Sequence, residues 1–294
     1  MLRSPAKLNW TLEVLGQRED GFHELRSWFV AAAFYDELSC VPSSDQEAAL
    51  VISGPASKGL PTDSSNLILR AEQAWRSAGG IAPQLCWSLV KNIPAGAGLG
   101  GGSGNAAAAF RLLEAIGDGS AVKDLAGIAL EIGSDVPFFL EQESAVLLGG
   151  RGETRLAAAS AAEGWVVLAV PSFAVNTGWV FAQLQAQACE PGASGIASET
   201  ALVLPALPTE NDLLESAEKA YPELQEFHAK LDAAADFQLS GSGGTFFAFF
   251  PDFEAAENCA AHTRKICSQV FVAPLQHGAI LRAPISIPSP GAKK

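Results

Sequence analysis

The segment Pro94-Ala95-Gly96-Ala97-Gly98-Leu99-Gly100-Gly101-Gly102-Ser103-Gly104-Asn105 runs directly into the alanines Ala106 to Ala109. A backbone this poor in Cβ atoms can close around an anion and turn successive N–H groups toward it, and the alanines can begin a helix whose positive end faces the same charge. Phosphate binding is the chemistry this composition suits. A flexible linker would be polar and bounded by shifts in composition. Here Gln84 to Lys91 alternates as a half-buried strand, and Ala106 to Ile116 carries Phe110, Leu113 and Ile116 at helical spacing. Strand, glycine loop and helix is the order a phosphate site needs, with Ser103 and Asn105 where a helix N-cap would sit.

The owner of that phosphate is a separate question. Gly96-x-Gly98-x-x-Gly101 matches the dinucleotide fingerprint and follows a strand, so a nicotinamide-dependent oxidoreductase is a rival. Against it, Pro94 introduces the loop, the glycines continue past the fingerprint, and no strand ending in a carboxylate follows about twenty residues later. A Walker-type loop is excluded, because no Gly-Lys-Ser/Thr delivers a lysine to the phosphates. If ATP binds here, its cation comes from another segment.

The elements that must position such a site fill a chain of 294 residues, long enough for two domains of moderate size. With 48% hydrophobic and 17% charged residues the composition is globular. A net charge of −13 argues against nucleic acid as a partner, since binding a phosphate backbone needs a basic face. A small anionic substrate remains compatible if Mg²⁺ and a few cations reverse the field within a cleft. Cys40, Cys86, Cys189, Cys259 and Cys267 are scattered, odd in number and contain no C-x-x-C, which argues against a disulfide framework and fits a reducing compartment. Arg3, Lys7 and Asn9 interrupt any apolar leader, and no run approaches the roughly twenty apolar residues of a membrane span. A cytoplasmic location and no membrane partner are the expectations.

Leu2 to Val14 reads as a strand, with Lys7 and Asn9 on the face opposite Leu8, Trp10, Leu12 and Val14. Strands are expected at Leu25 to Phe34, Asp36 to Val41, Ala145 to Leu148, Trp165 to Val170 and Thr245 to Phe250. Helices are expected at Asn66 to Ala78, Ala106 to Ile116, Val122 to Ile132, Gly178 to Ala188 and Tyr221 to Ala235, with another opening at Asn211 or Asp212. Leu156 to Ala162 is a plausible domain boundary. Cys189 to Pro208 reads as a surface excursion, and the tail from Pro284 as disordered.

Three separated segments belong together: Ser4-Pro5-Ala6-Lys7-Leu8-Asn9, the loop from Pro94, and Ser240-Gly241-Ser242-Gly243-Gly244. With Gly16 to Leu25, Gly133-Ser134-Asp135-Val136-Pro137-Phe138 and Asn211-Asp212-Leu213, they resemble in order the motifs of the GHMP kinases. The likeness is greatest to the branch that acts on a cytidine diphosphate sugar alcohol in non-mevalonate isoprenoid biosynthesis. It thins between Cys189 and Pro208 and at the tail. The resemblance implies a two-domain α+β fold: residues 1–160 as a ribosomal-S5-domain-2-like ATP-binding domain, 161–283 as a ferredoxin-like domain, and 284–294 as the tail.

The resemblance also implies roles. Phosphoryl transfer to an alcohol needs the γ-phosphate and hydroxyl in line, the developing charge neutralised and the alcohol proton accepted. Asp135 would be the base and Lys7 the neighbouring cation that favours its ionised form and stabilises the transferred group. Pro94, Gly96, Gly98, Leu99, Gly100, Gly101, Gly102, Ser103, Gly104 and Asn105 would bind ATP, with Ser103 contacting Mg²⁺ or phosphate. Relatives commonly carry a second hydroxyl where this chain has Gly104, which puts the metal contact in question. Asn9, Phe22, His23, Thr177, Phe181, Ser240, Gly241, Ser242 and Gly243 would bind substrate, Phe22 and Phe181 by stacking on the pyrimidine and His23 at its edge. A different alcohol acceptor, and a non-catalytic nucleotide-binding protein on the same scaffold, remain the alternatives.

Overall fold

The N-terminal alternation forms two strands, β1 (Leu2–Asn9) and β2 (Glu13–Gln17), where one is expected. Between them Trp10 N still donates to Trp28 O, but Leu12 turns away to exchange backbone hydrogen bonds with Glu210 and Asp212. That detour fastens the start of the chain to its second half. Both strands lie antiparallel on β3 (His23–Pro42), a single strand that absorbs the two expected at Leu25 to Phe34 and Asp36 to Val41. A register shift opposite Pro5 and Ala6 bends the pairing without ending the strand.

This structure, a computed structural model, describes residues 1–43, 49–159, 161, 163–184 and 210–276. Strands β4 (Ala49–Ser53), β5 (Leu85–Val90), β6 (Ala145–Gly150) and β7 (Thr154–Ala159) complete a seven-stranded sheet in the order β4-β5-β3-β6-β7, with β1 and β2 on β3. Four helices lie between β4 and β6 in sequence: α1 (Leu67–Ser77), before β5, and α2 (Gly101–Ile116), α3 (Leu125–Ile132) and α4 (Val136–Phe139), after it. Their core with the sheet holds Trp75, Trp87, Phe110, Phe138 and Phe139. Ala106 to Ala109 are fully buried, so the alanine run that reads as a good helix former also lets α2 pack closely on its neighbours.

The second sheet, ordered β11-β8-β10-β9, comprises β8 (Trp165–Val170), β9 (Gln238–Leu239), β10 (Phe246–Phe250) and β11 (Gln269–Pro274). With it come α5 (Thr177–Gln183), α6 (Leu214–Ala220), α7 (Pro222–Asp232) and α8 (Phe253–Thr263). On β8, Val167 and Ala169 join a core with Leu231 and Phe237, while Val166 and Leu168 join Leu8, Trp10, Trp28 and Leu147 of the first sheet. Burial on both faces is why this strand reads as an unbroken apolar run.

Several boundaries differ from the sequence expectation. Helix α2 begins at Gly101, and Gly100, in the left-handed region with no side-chain hydrogen bond, is its N-cap. Ser103 and Asn105 therefore lie inside the helix and cap nothing: half of the glycine segment is helix, its start set by backbone geometry that glycine alone adopts without strain. Helix α3 starts at Leu125 because Asp124 caps it through Gly127 N. Helix α6 starts at Leu214, and Asn211 instead accepts from Leu213 N and donates to Leu239 O and Gly241 O. Helix α5 opens on its Asn176 cap. Its expected extension to Ala188, the excursion Cys189 to Pro208 and the tail from Pro284 lie outside the described residues. Among the described residues no helix is long and apolar enough to cross a membrane.

Candidate active site

The three glycine- and serine-bearing segments converge. Lys7 N on β1 donates to Leu99 O in the glycine loop at 2.9 Å, and Asn9 N donates to Ser240 Oγ at 3.1 Å. Thr245 Oγ1 reaches back to Ala97 O at 2.5 Å. Gly98 and Gly243 touch through their backbones: a Cβ on Gly243 would lie 2.6 Å from Gly98 Cα. Beside this junction opens a cavity of about 610 Å³.

Lys7 and Asp135 pair on its wall, Lys7 Nζ 3.5 Å from Asp135 Oδ2. Lys7 is buried, and its ammonium is aimed by a chain of hydrogen bonds: it donates to Asn9 Oδ1 at 2.7 Å, Asn9 Nδ2 donates to Ser27 Oγ at 2.8 Å, and Ser27 Oγ donates to Thr11 O. The Phe29 ring lies 4.9 Å below the ammonium. Asp135 occupies the N-cap position of α4, yet its carboxylate caps no N–H of that helix. It is thus left to Lys7 and to whatever enters the cavity.

Part of the cavity lining is aromatic. The His23 and Phe181 rings stack with centroids 5.2 Å apart, and Phe22 is half exposed with the Arg151 guanidinium 3.8 Å above its ring. Arg151 lines the cavity as well. Thr177 and Ser242 share a hydrogen bond of 2.9 Å on the adjoining wall. Lys7, Asn9, Phe22, His23, Gly98, Asp135, Thr177, Phe181, Gly241, Ser242 and Gly243 therefore line one space.

The other expected residues lie behind or beside it. Ser240 is fully buried and acts through Asn9 N. Leu99 is buried in the inter-sheet core, and its carbonyl, not its side chain, serves Lys7. Asn105 is buried, with Oδ1 making no hydrogen bond. Gly104 faces inward too: a Cβ there would fall on Ser4 Oγ and lie 3.2 Å from the Phe139 ring. Packing against Ser4 and Phe139 accounts for this glycine. Ser27 and Arg151 carry no motif of their own in the sequence. Ser27 is visible only through its partners, whereas a lone arginine in Gly149-Gly150-Arg151-Gly152 at a strand end is a signal that the sequence does contain.

Gly96, Gly98 and Gly100 have φ of 70°, 78° and 68°. Left-handed residues at alternate positions turn neighbouring N–H groups to one side, the geometry of an anion-binding nest, and the uncapped start of α2 adds its first-turn donors. The segment from Pro94 to Ser103, with Gly96 and Gly102 exposed, fits nucleotide phosphates. Among the described residues no group of three or more His, Cys, Asp and Glu side chains forms a metal cluster. Half-exposed Ser103 fits Mg²⁺ in another way, since this ion commonly arrives on substrate phosphates and takes few protein ligands.

Residues 66–143 match the model of the GHMP kinases N terminal domain, and residues 203–268 that of the GHMP kinases C terminal domain. Two curated relatives are 4-diphosphocytidyl-2-C-methyl-D-erythritol kinases. That of Solidesulfovibrio magneticus is 34% identical over 94% of this chain and 96% of its own, and that of Geobacter sp. (strain M21) is 35% identical over 90% and 94%. A crystal structure of 4-(cytidine 5'-diphospho)-2C-methyl-D-erythritol kinase superimposes with a TM-score of 0.73 at 29% identity, covering 94% of this chain and 99% of that one. Homoserine kinase from Cytophaga hutchinsonii shares the fold at a TM-score of 0.63 and 16% identity, with 95% and 94% covered.

Proposed function

The chain belongs to the GHMP kinases, and from that premise we propose that it transfers the γ-phosphoryl group of ATP to the 2-hydroxyl of 4-diphosphocytidyl-2-C-methyl-D-erythritol, in non-mevalonate isoprenoid precursor biosynthesis. The observation that carries this reading is one cavity shared by the Lys7–Asp135 pair and the rings of Phe22, His23 and Phe181. Such a cavity accommodates a reacting alcohol beside the ion pair and a pyrimidine against the rings.

Asp135 accepts the hydroxyl proton while the acceptor oxygen bonds to the γ-phosphorus and the bond to the β–γ bridging oxygen breaks, releasing ADP. Lys7, aimed by Asn9 and Ser27, presents its charge to the oxygens of the transferring group. The loop N–H groups from Gly96 to Ser103 hold the nucleotide phosphates. The GHMP kinases generally use ATP with Mg²⁺, which neutralises charge on the β- and γ-phosphates, and Ser103 would be its side-chain contact. Phe22, His23 and Phe181 orient the base, with Thr177 and Ser242 on the adjoining wall.

A non-catalytic reading motivated by Gly104 loses its support, because Ser4 and Phe139 account for that glycine by packing. The free thiols of Cys40, Cys86, Cys259 and Cys267 support a reducing, cytoplasmic setting as part of the proposal.

An ADP-release assay with Mg-ATP tests the acceptor. Turnover is expected with 4-diphosphocytidyl-2-C-methyl-D-erythritol and not with mevalonate or homoserine. Release with either of those and none with the cytidine compound would overturn the assignment.

A further inference from the structure

A second ion pair lies outside the cavity, directly under the glycine loop. Lys91, at the end of β5, and Asp36, in β3, are 2.5 Å apart; the Lys91 side chain is 4% exposed and that of Asp36 not at all. The ammonium donates also to Ile93 O at 2.7 Å. Asp36 Oδ1 accepts from the backbone N–H groups of Asn92 and Ile93 at 2.7 and 2.9 Å. Asn92 Nδ2 completes the attachment by donating to Tyr35 O at 2.8 Å. The three residues that lead from β5 to Pro94 are thus fastened to β3 by side chains.

The pair also touches the start of α2. A Cβ on Gly101 would lie 2.7 Å from Lys91 Nζ and 3.0 Å from Ile93 Cγ2. Gly101 is therefore required by what lies beneath it. A buried cation at the positive end of a helix is unfavourable by itself, and burial lowers the Lys91 pKa from its ordinary value while Asp36 opposes that shift. Such a pair adds little to stability compared with apolar residues of the same volume. Its geometry has a more specific consequence: it sets the height and direction at which the loop leaves the sheet.

We propose that Lys91 and Asp36 are positioning residues for the nucleotide, holding the segment from Asn92 to Gly101 so that its N–H groups converge on the ATP phosphates; this rests on the kinase reading above. Neither residue touches the acceptor end of the cavity, so the two substrates should respond differently to its loss.

The test uses the full chain with Lys91→Met/Asp36→Asn, which leaves no uncompensated charge. Binding of a non-hydrolysable ATP analogue is measured by calorimetry, with KM for ATP and for the acceptor and the melting temperature. The analogue's Kd and the KM for ATP are expected to rise about tenfold, with acceptor KM within about twofold and melting close to that of the parent. Lys91→Arg, which keeps the charge but alters the reach, is expected to show a smaller rise confined to ATP. Unchanged analogue affinity in a folded double variant overturns the proposal, and so does an equal rise in acceptor KM. Failure of both variants to fold overturns it as well, leaving the pair as a stability element. A parent protein that binds the analogue but phosphorylates no alcohol refutes the kinase reading separately and leaves the binding comparison valid.

Discussion

Gly98 and Gly243 meet with no room between them: a Cβ on Gly98 would lie 2.9 Å from Gly243 Cα, and one on Gly243 2.6 Å from Gly98 Cα. The contact joins the loop after the first sheet's β5 to the turn before β10 in the second. Gly243→Ala is expected to leave the protein folded but to push the loop and turn apart, lowering kcat/KM about a hundredfold, as misplacements near one ångström do. Steady-state kinetics beside a melting curve check this, and an alanine variant with parent activity would show that the contact does not set the site.

Asp135 has no hydrogen bond to its own helix and faces Lys7 at 3.5 Å. Asp135→Asn keeps the shape and removes the proposed proton acceptor, so kcat is expected to fall by about two to four orders of magnitude. Affinity for the ATP analogue should change little. Near-parent turnover would remove Asp135 from the proton transfer.

Gly104→Ser places a side chain onto Ser4 Oγ. The expected cost is about 1–3 kcal/mol of stability, read as a lowered melting temperature. Ser4 Oγ is buried without a hydrogen-bond partner, so Ser4→Ala alone should be neutral or stabilising. Combined with Gly104→Ser it should recover most of the loss. Independent, additive effects of the two substitutions would contradict the contact.

Phe181 stacks on His23 and lines the cavity. Phe181→Ala is expected to raise the acceptor KM by about tenfold, in the range for loss of one base-stacking ring, with KM for ATP unchanged. A shift in the ATP constant instead would assign the ring to the nucleotide.

Burial pushes the Cys40 thiol up to about 11. Because only the thiolate reacts, alkylation of Cys40 should be slow at pH 8 and accelerate as pH rises toward 11. Peptide mapping after timed iodoacetamide treatment follows it. Rapid modification at pH 7 in the folded protein would contradict the burial.

Much of the site is legible in the sequence because its parts are local. Glycine content marks where the backbone must approach an anion, the Ser4 to Asn9 alternation puts Lys7 and Asn9 on one face, and Asp135 belongs to a short motif before a proline. Only the order of the motifs along the chain joins the three segments, through the family resemblance it carries. The start of α2 differs from the expectation for a physical reason: propensity reads its glycines as loop, whereas left-handed Gly100 starts the helix at Gly101, a position with no room for a side chain over Lys91 and Ile93.

By itself the sequence determined the anion-binding loop, which follows from residue type and short spacing; the lysine, the carboxylate and the aromatic set for a base followed from the resemblance carried by the ordered motifs. Tertiary structure alone decided that Asn9 and Ser27 aim Lys7, that Gly98 closes on Gly243, that Ser4 excludes a side chain at position 104 and that Asp36 anchors the loop through Lys91. Those relationships join residues far apart in the chain, and local propensity carries no information about which distant partner fills a given few ångströms. Close packing of the two sheets against each other makes that choice.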